Sequence, residues 1–132
     1  MKIKTEGSSA LKSGETPHML INMEKKIKNK NKLYEYMQLE DNWDSDGAKS
    51  FSKKLIDLAW KKIEQLEIQP QVSPTMRESI QFEYEKENGD YLEFEIYENK
   101  IEVFRIINGD EEEIRCIISK NLNGFVNEFY NV

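Results

Sequence analysis

The hydrophobic period of this chain changes once, and that change limits its fold more than any other feature. Between Glu24 and Leu66 apolar residues recur at steps of three and four; beyond Pro70 and Pro74 they alternate with polar ones. The first pattern gives helices with one apolar stripe and the second gives strands with one apolar face, and such surfaces are buried against each other. Ile27, Leu33, Tyr34 and Met37 form the stripe of a first helix from Glu24 to Leu39, with lysines opposite. Leu55, Ile56, Ala59, Ile63 and Leu66 form that of a second, from Ser52 to Leu66, with Ser50 or Ser52 able to cap its first amides. Pro70 and Pro74 then hold an extended connection.

Ile80, Phe82 and Tyr84 alternate with Gln81, Glu83 and Glu85, and Leu92, Phe94 and Ile96 with Glu93 and Glu95. Asn88-Gly89 between them signals a hairpin turn. "IEVFRII" reads as a third strand, Asn108-Gly109 as a second turn and "EIRCII" as a fourth strand. Leu122, Phe125, Val126 and Phe129 place a short closing helix at the end, weakened by Gly124. The expected fold is therefore α+β in two layers: two N-terminal helices, a four-stranded antiparallel meander and a short C-terminal helix.

The 132 residues are one domain's worth. Residues 1–22 lack sustained periodicity and read as a flexible leader, followed by a single domain over 23–132. His18-Met19 has the character of a cloning junction, which would remove the only histidine from consideration. One cysteine, Cys116, excludes an internal disulfide and, with one histidine, a Cys/His zinc site within the chain; a cytoplasmic location follows as the expectation. No apolar run is long enough to span a membrane. The net charge of -6 is polarised, positive before residue 39 and strongly negative over residues 77–118.

"NWDSDG", residues 42–47, copies half of a calcium loop: Asn42, Asp44 and Asp46 occupy the first, third and fifth positions and Gly47 the sixth. The twelfth position is Lys53, a charge of the wrong sign where a bidentate glutamate belongs. The favoured reading is architectural: a turn between helices in which Asp44 or Asp46 accepts local amide bonds, Gly47 is left-handed and Trp43 closes the core.

Asn42, Trp43, Asp44, Gly47 and Ala48, then Pro74-Thr75, Ile80 and Glu83, resemble a family of small, largely uncharacterised bacterial and phage proteins with an Asn-Trp-Asp…Gly-Ala loop, a Pro-Thr connection and a Glu-rich hairpin. The resemblance covers residues 39 to 97. It implies a shared fold and no reaction.

Catalytic constellations are sparse. Cys116 falls on the inward face of the fourth strand, where a thiol is inert packing, and a Ser-His-Asp site would have to draw on His18. The lysine-rich "EKKIKNKNK" lacks arginine and interleaved aromatics, which disfavours direct nucleic-acid binding. No cofactor is implied. Glu83, Glu85, Glu93 and Glu95 are expected to project together from the solvent face of two strands, with Tyr91 and Tyr97 nearby and Arg105 and Arg115 as partial counter-charges. Such a ladder suits a basic surface on another protein, so the expected class is a small acidic, non-enzymatic binding module of the antitoxin, immunity or anti-defence inhibitor kind. The alternative is a carboxylate-based, metal-dependent hydrolase using Glu83, Glu93 and Glu95 or the Asp44/Asp46 pair. A homodimer through an edge strand is a third option.

Overall fold

A computed structural model describes residues 17–116 and 118–132, with the side chains of residues 17–19 and 116 outside that description. Helices α1 (Pro17–Met37) and α2 (Lys53–Gln65) precede strands β1 (Gln71–Pro74), β2 (Ile80–Glu85), β3 (Tyr91–Ile96), β4 (Ile101–Ile107) and β5 (Asp110–Cys116), and α3 (Asn123–Tyr130) closes the chain. The sheet runs β1-β2-β3-β4-β5, each neighbour antiparallel. The α+β class and the meander are those the period change implies. The sheet has five strands rather than four: Gln71–Pro74, expected as a plain connection, pairs with β2. Proline lacks the amide donor of a central strand, but an edge strand needs donors on one side only.

Strand alternation sends Ile80, Phe82, Leu92, Phe94, Ile96, Ile101 and Val103 to one face, each at most 1% exposed. The inner stripe of α2 (Leu55, Ile56, Ala59, Ile63) and Val126 and Phe129 of α3 cover that face. Ser52 caps α2 through a 3.1 Å bond from the Leu55 amide to its hydroxyl. Of the two Asn-Gly turns, Asn108-Gly109 has positive φ at both residues, whereas in Asn88-Gly89 only the glycine does. Lys62 on α2 is 2% exposed and donates to the Lys120 carbonyl at 2.7 Å, tying the helix to the segment before α3.

Helix α1 departs from expectation in extent and in orientation. It begins at Pro17, and Asn22 already accepts from the Gln69 amide at 3.0 Å, so the domain starts inside the segment read as a leader. Residues 1–16 and the His18 side chain lie outside the described residues. Of the expected stripe only Leu33 is buried; Ile27, Tyr34 and Met37 face outward. The inward face is instead Asn22, Lys26, Asn29, Leu33 and Tyr36. The reason lies in the partner surface. A helix C-terminus and an edge strand leave carbonyls without intrahelical or ladder donors. Asn29 donates to the Pro70 carbonyl at 3.0 Å, Lys26 to that of Glu64 at 3.3 Å and Lys32 to that of Val72 at 3.0 Å. The buried Asn29 amide and the partly exposed Lys26 and Lys32 ammonium groups complete the hydrogen bonding at the end of α2 and along β1, and apolar side chains could not.

Candidate functional site

The sheet face opposite the helices is the candidate site, and the register fixes its layout. One row reads Gln71, Glu83, Glu93, Phe104, Glu113 across all five strands; the next reads Glu85, Tyr91, Ile106, Glu111, and a third Gln81, Glu95, Glu102, Arg115. Among the described residues no helix crosses this face. Glu93, Glu95, Glu102, Phe104, Glu113 and Arg115 surround a shallow depression of about 290 Å³. Tyr91 and Phe104 meet edge to face, ring centroids 6.3 Å apart, in the middle of the acidic rows.

The ladder is brought together as expected, but it is neither uniformly exposed nor loose. Glu85 is exposed, Glu83 and Glu93 are half-buried and Glu95 is buried at 8% exposure. Burial of Glu95 corrects the expectation of a flat solvated row, and the connection between β1 and β2 causes it. Arg77 and Ser79 reach the same Glu95 Oε2, at 2.8 and 2.5 Å. Because the Ser79 proton is used there, Thr75 donates to the Ser79 oxygen at 2.5 Å, while its own hydroxyl oxygen accepts from the Arg77 amide at 3.0 Å. Burial alone would raise the Glu95 pKa; the bonds from Ser79, Arg77 and Tyr97 outweigh it and hold the carboxyl below its ordinary range.

Glu93 goes the other way. Desolvation, joined by the charges of Glu95 and Glu83, raises its pKa against the stabilising bond from the Tyr91 hydroxyl at 2.7 Å. Gln81 donates to Glu93 Oε1 at 3.0 Å and also bonds Glu83. Burial and the Glu93 carboxylate push the Tyr91 phenol upward in turn. Two adjacent carboxyl groups thus have pKa values displaced in opposite directions. The Tyr97 ring packs under the Lys100 ammonium, 4.6 Å from its centroid.

Arg105 does not neutralise this face. It lies opposite Leu92 on the helix-covered side and pairs with Glu112 at 2.8 Å and Glu128 of α3 at 3.3 Å. Those pairs sit at the edge of a wider cleft of about 810 Å³ near the hairpin ends, where Lys86 stacks over Phe129 at 4.8 Å. Arg115 is on the open face, opposite Glu102. Cys116 closes β5 opposite Ile101, and its side chain is outside the described residues.

The Asn42–Gly47 loop closes on itself. Asp44 Oδ1 accepts from the amides of Asp46 and Ala48 at 2.9 and 3.0 Å, and Asn42 Oδ1 from that of Gly47 at 2.8 Å. Those amide bonds hold the Asp44 pKa down. Gly47 sits at φ +91°, and Ala48 is buried. Trp43 is half-buried on Phe51, centroids 5.6 Å apart, and its indole donates to the Lys49 carbonyl at 3.0 Å. Lys53 pairs with Asp57 at 2.7 Å on the next helix. Among the described residues, no group of three or more His, Cys, Asp or Glu side chains is placed to hold a metal ion.

What sequence reasoning missed at the site is the contribution of Thr75, Arg77, Ser79 and Gln81. Gln81 and Ser79 were legible as strand positions on the glutamate side; the reach of Arg77 was not, because it depends on the turn at Glu78, whose φ is +59°. No protein-family model matches the chain, and neither a curated protein nor a solved structure matches it significantly. Among the described residues no helix is long and apolar enough to cross a membrane.

Proposed function

We propose that the protein is a small non-enzymatic binding module whose open sheet face takes a basic surface of another protein, in the manner of an antitoxin, immunity or anti-defence factor, consistent with the resemblance of its Trp43 loop and hairpin to small bacterial and phage proteins. The observation that carries this reading is the acidic lattice around Tyr91 and Phe104, in which the Glu83, Glu93 and Glu95 carboxyl groups are held by Gln81, Tyr91, Ser79 and Arg77 before any partner arrives. Preorganised charge avoids the ordering cost of mobile side chains on binding. The raised Glu93 pKa supports it as well: burial first, and then the charges of Glu95 and Glu83, disfavour its ionised form in the free protein, and an arginine or lysine from a partner would stabilise it. Glu83, Glu85, Glu93 and Tyr91 are the contact candidates, while Glu95 serves to position Arg77 and Tyr97.

The test uses Glu85→Lys with Glu113→Lys, both exposed, so that the fold is kept. The wild-type chain and the variant are used to capture partners from the native host, and the recovered partner is titrated at rising salt. Loss of capture by the variant and a steep salt dependence are expected. Equal affinity for both chains would move the interface elsewhere.

A second reading, a carboxylate-based hydrolase, draws on the opposed pKa displacements of Glu93 and Glu95 beside the depression. Calorimetric titration with magnesium, manganese and calcium separates the two: micromolar binding abolished by Glu93→Gln would favour the hydrolase.

A further inference from the structure

The outward face of α1 carries Met23, Ile27, Tyr34 and Met37, between 41% and 61% exposed, and Trp60 of α2, 38% exposed, lies against Lys30 in the same row. With Lys30 between, these positions follow the three-four spacing of a coiled-coil seam. They are not the residues that attach α1 to its own domain, which are Asn22, Asn29, Leu33 and Tyr36. The helix therefore has two packing faces, and among the described residues only one is covered.

Together these side chains leave on the order of 500 Å² of largely apolar surface, near the top of what a monomer shows in one patch. A twofold contact between copies would bury about 1,000 Å², the threshold for a specific interface. The flanking charges favour that occupant. An anionic surface would need free lysines along the stripe, but Lys26, beside it, reaches to the Glu64 carbonyl and Lys30, within it, is paired with Glu64 at 2.7 Å, while the exposed Lys25 and Lys28 lie off the stripe. On the far side Glu24, Asn31 and Glu35 accompany Lys28, a mixed border. Lys30, the one charge within the stripe, is neutralised by Glu64 and lies 5.6 Å from the Trp60 ring centroid.

We propose that this face is a homodimer seam in which two copies pack α1 against α1, with Trp60 at the margin. The contact is isologous and closes at two chains. It leaves both open sheet faces outward, and it rests on the burial pattern of α1 rather than on the partner reading of the sheet.

Sedimentation equilibrium of the full chain across micromolar concentrations tests it. The expected mass is twice the 15.6 kDa of one chain, falling to a single chain in Ile27→Glu with Tyr34→Glu. A neutral pair, Ile27→Asn with Tyr34→Asn, must give the same result with a cooperative melt, which separates lost association from lost folding. A monomer at every concentration would overturn the proposal. So would a dimer that survives both variant pairs, as an edge-strand dimer would, or a monomer that sediments with anionic phospholipid vesicles.

Discussion

Replacing Glu95 by glutamine isolates the charge that fixes the open face. The side chain is 8% exposed and its Oε2 holds Ser79 and Arg77. Glutamine keeps the shape and an acceptor for Ser79 but loses the ionic part of both bonds. Charge-assisted bonds contribute roughly 1.5–3 kcal/mol against about 1 for neutral ones, so the Ser79 bond loses about 1 kcal/mol. The Arg77 side chain is 54% exposed. Solvent screening keeps its share to about 0.5–1 kcal/mol. Relief of the burial cost of the charge offsets part of this, so the expected loss near pH 7 is about 1 kcal/mol. The pH dependence is the sharper readout. Because the folded pKa of Glu95 lies below the ordinary 4.5, its stabilisation is complete above that value and is lost as pH falls through the folded pKa. Urea unfolding of both chains from pH 7 to acid measures the difference. A gap that persists undiminished into strong acid, or no gap at pH 7, would refute the assignment of Arg77 and Ser79 as partners of an ionised Glu95.

Glu93→Gln should behave oppositely: with a folded pKa above 4.5, ionised Glu93 costs stability as pH rises from there, so the variant gains over wild type at pH 7 and matches it in acid, again by urea titration. Leu33→Ala should cost about 2–4 kcal/mol while Ile27→Ala stays within about 0.5 kcal/mol, measured by thermal melts at concentrations where the chain is monomeric. Gly47→Ala meets no atom within 4 Å, so its expected cost of about 1 kcal/mol is purely that of the left-handed backbone, checked by the shift in urea midpoint. Trp43→Ala should cost about 2–3 kcal/mol, less than for a fully enclosed ring, because it loses the Phe51 contact and the Lys49 bond but was already partly solvated.

The parts of the fold legible in the sequence were those where one residue property decides. Period-two alternation placed Phe82, Phe94 and Ile96 inward, and the Ser52 cap and the Asp44 amide bonds follow from short-range side-chain chemistry. Helix α1 misled because its apolar residues and its docking residues are different sets: Leu33 belongs to the core, yet Asn22 and Asn29 dock on backbone groups presented more than forty positions away in the chain, the Gln69 amide and the Pro70 carbonyl. No local pattern records such a demand. The short β1 escaped for a related reason, since Pro74 argues against a strand unless the edge position is known. At the site, the ladder was visible and the burial of Glu95 was not, because it depends on how the Arg77 turn folds back over β3.

The order β1-β2-β3-β4-β5 also bears on how the chain reaches its native state. Every strand pairs with its neighbour in sequence, so each new ladder closes only a short loop and none must wait for a distant segment. The sheet can zip outward from either Asn-Gly hairpin, and refolding after dilution from denaturant should be fast for a protein with this much β structure. The later steps are then the dockings that join distant segments: α1 onto α2 and β1, through bonds such as that from the Gln69 amide to Asn22, and the start of α3 onto α2, through Lys62 to the Lys120 carbonyl and Asn123 to that of Gln65.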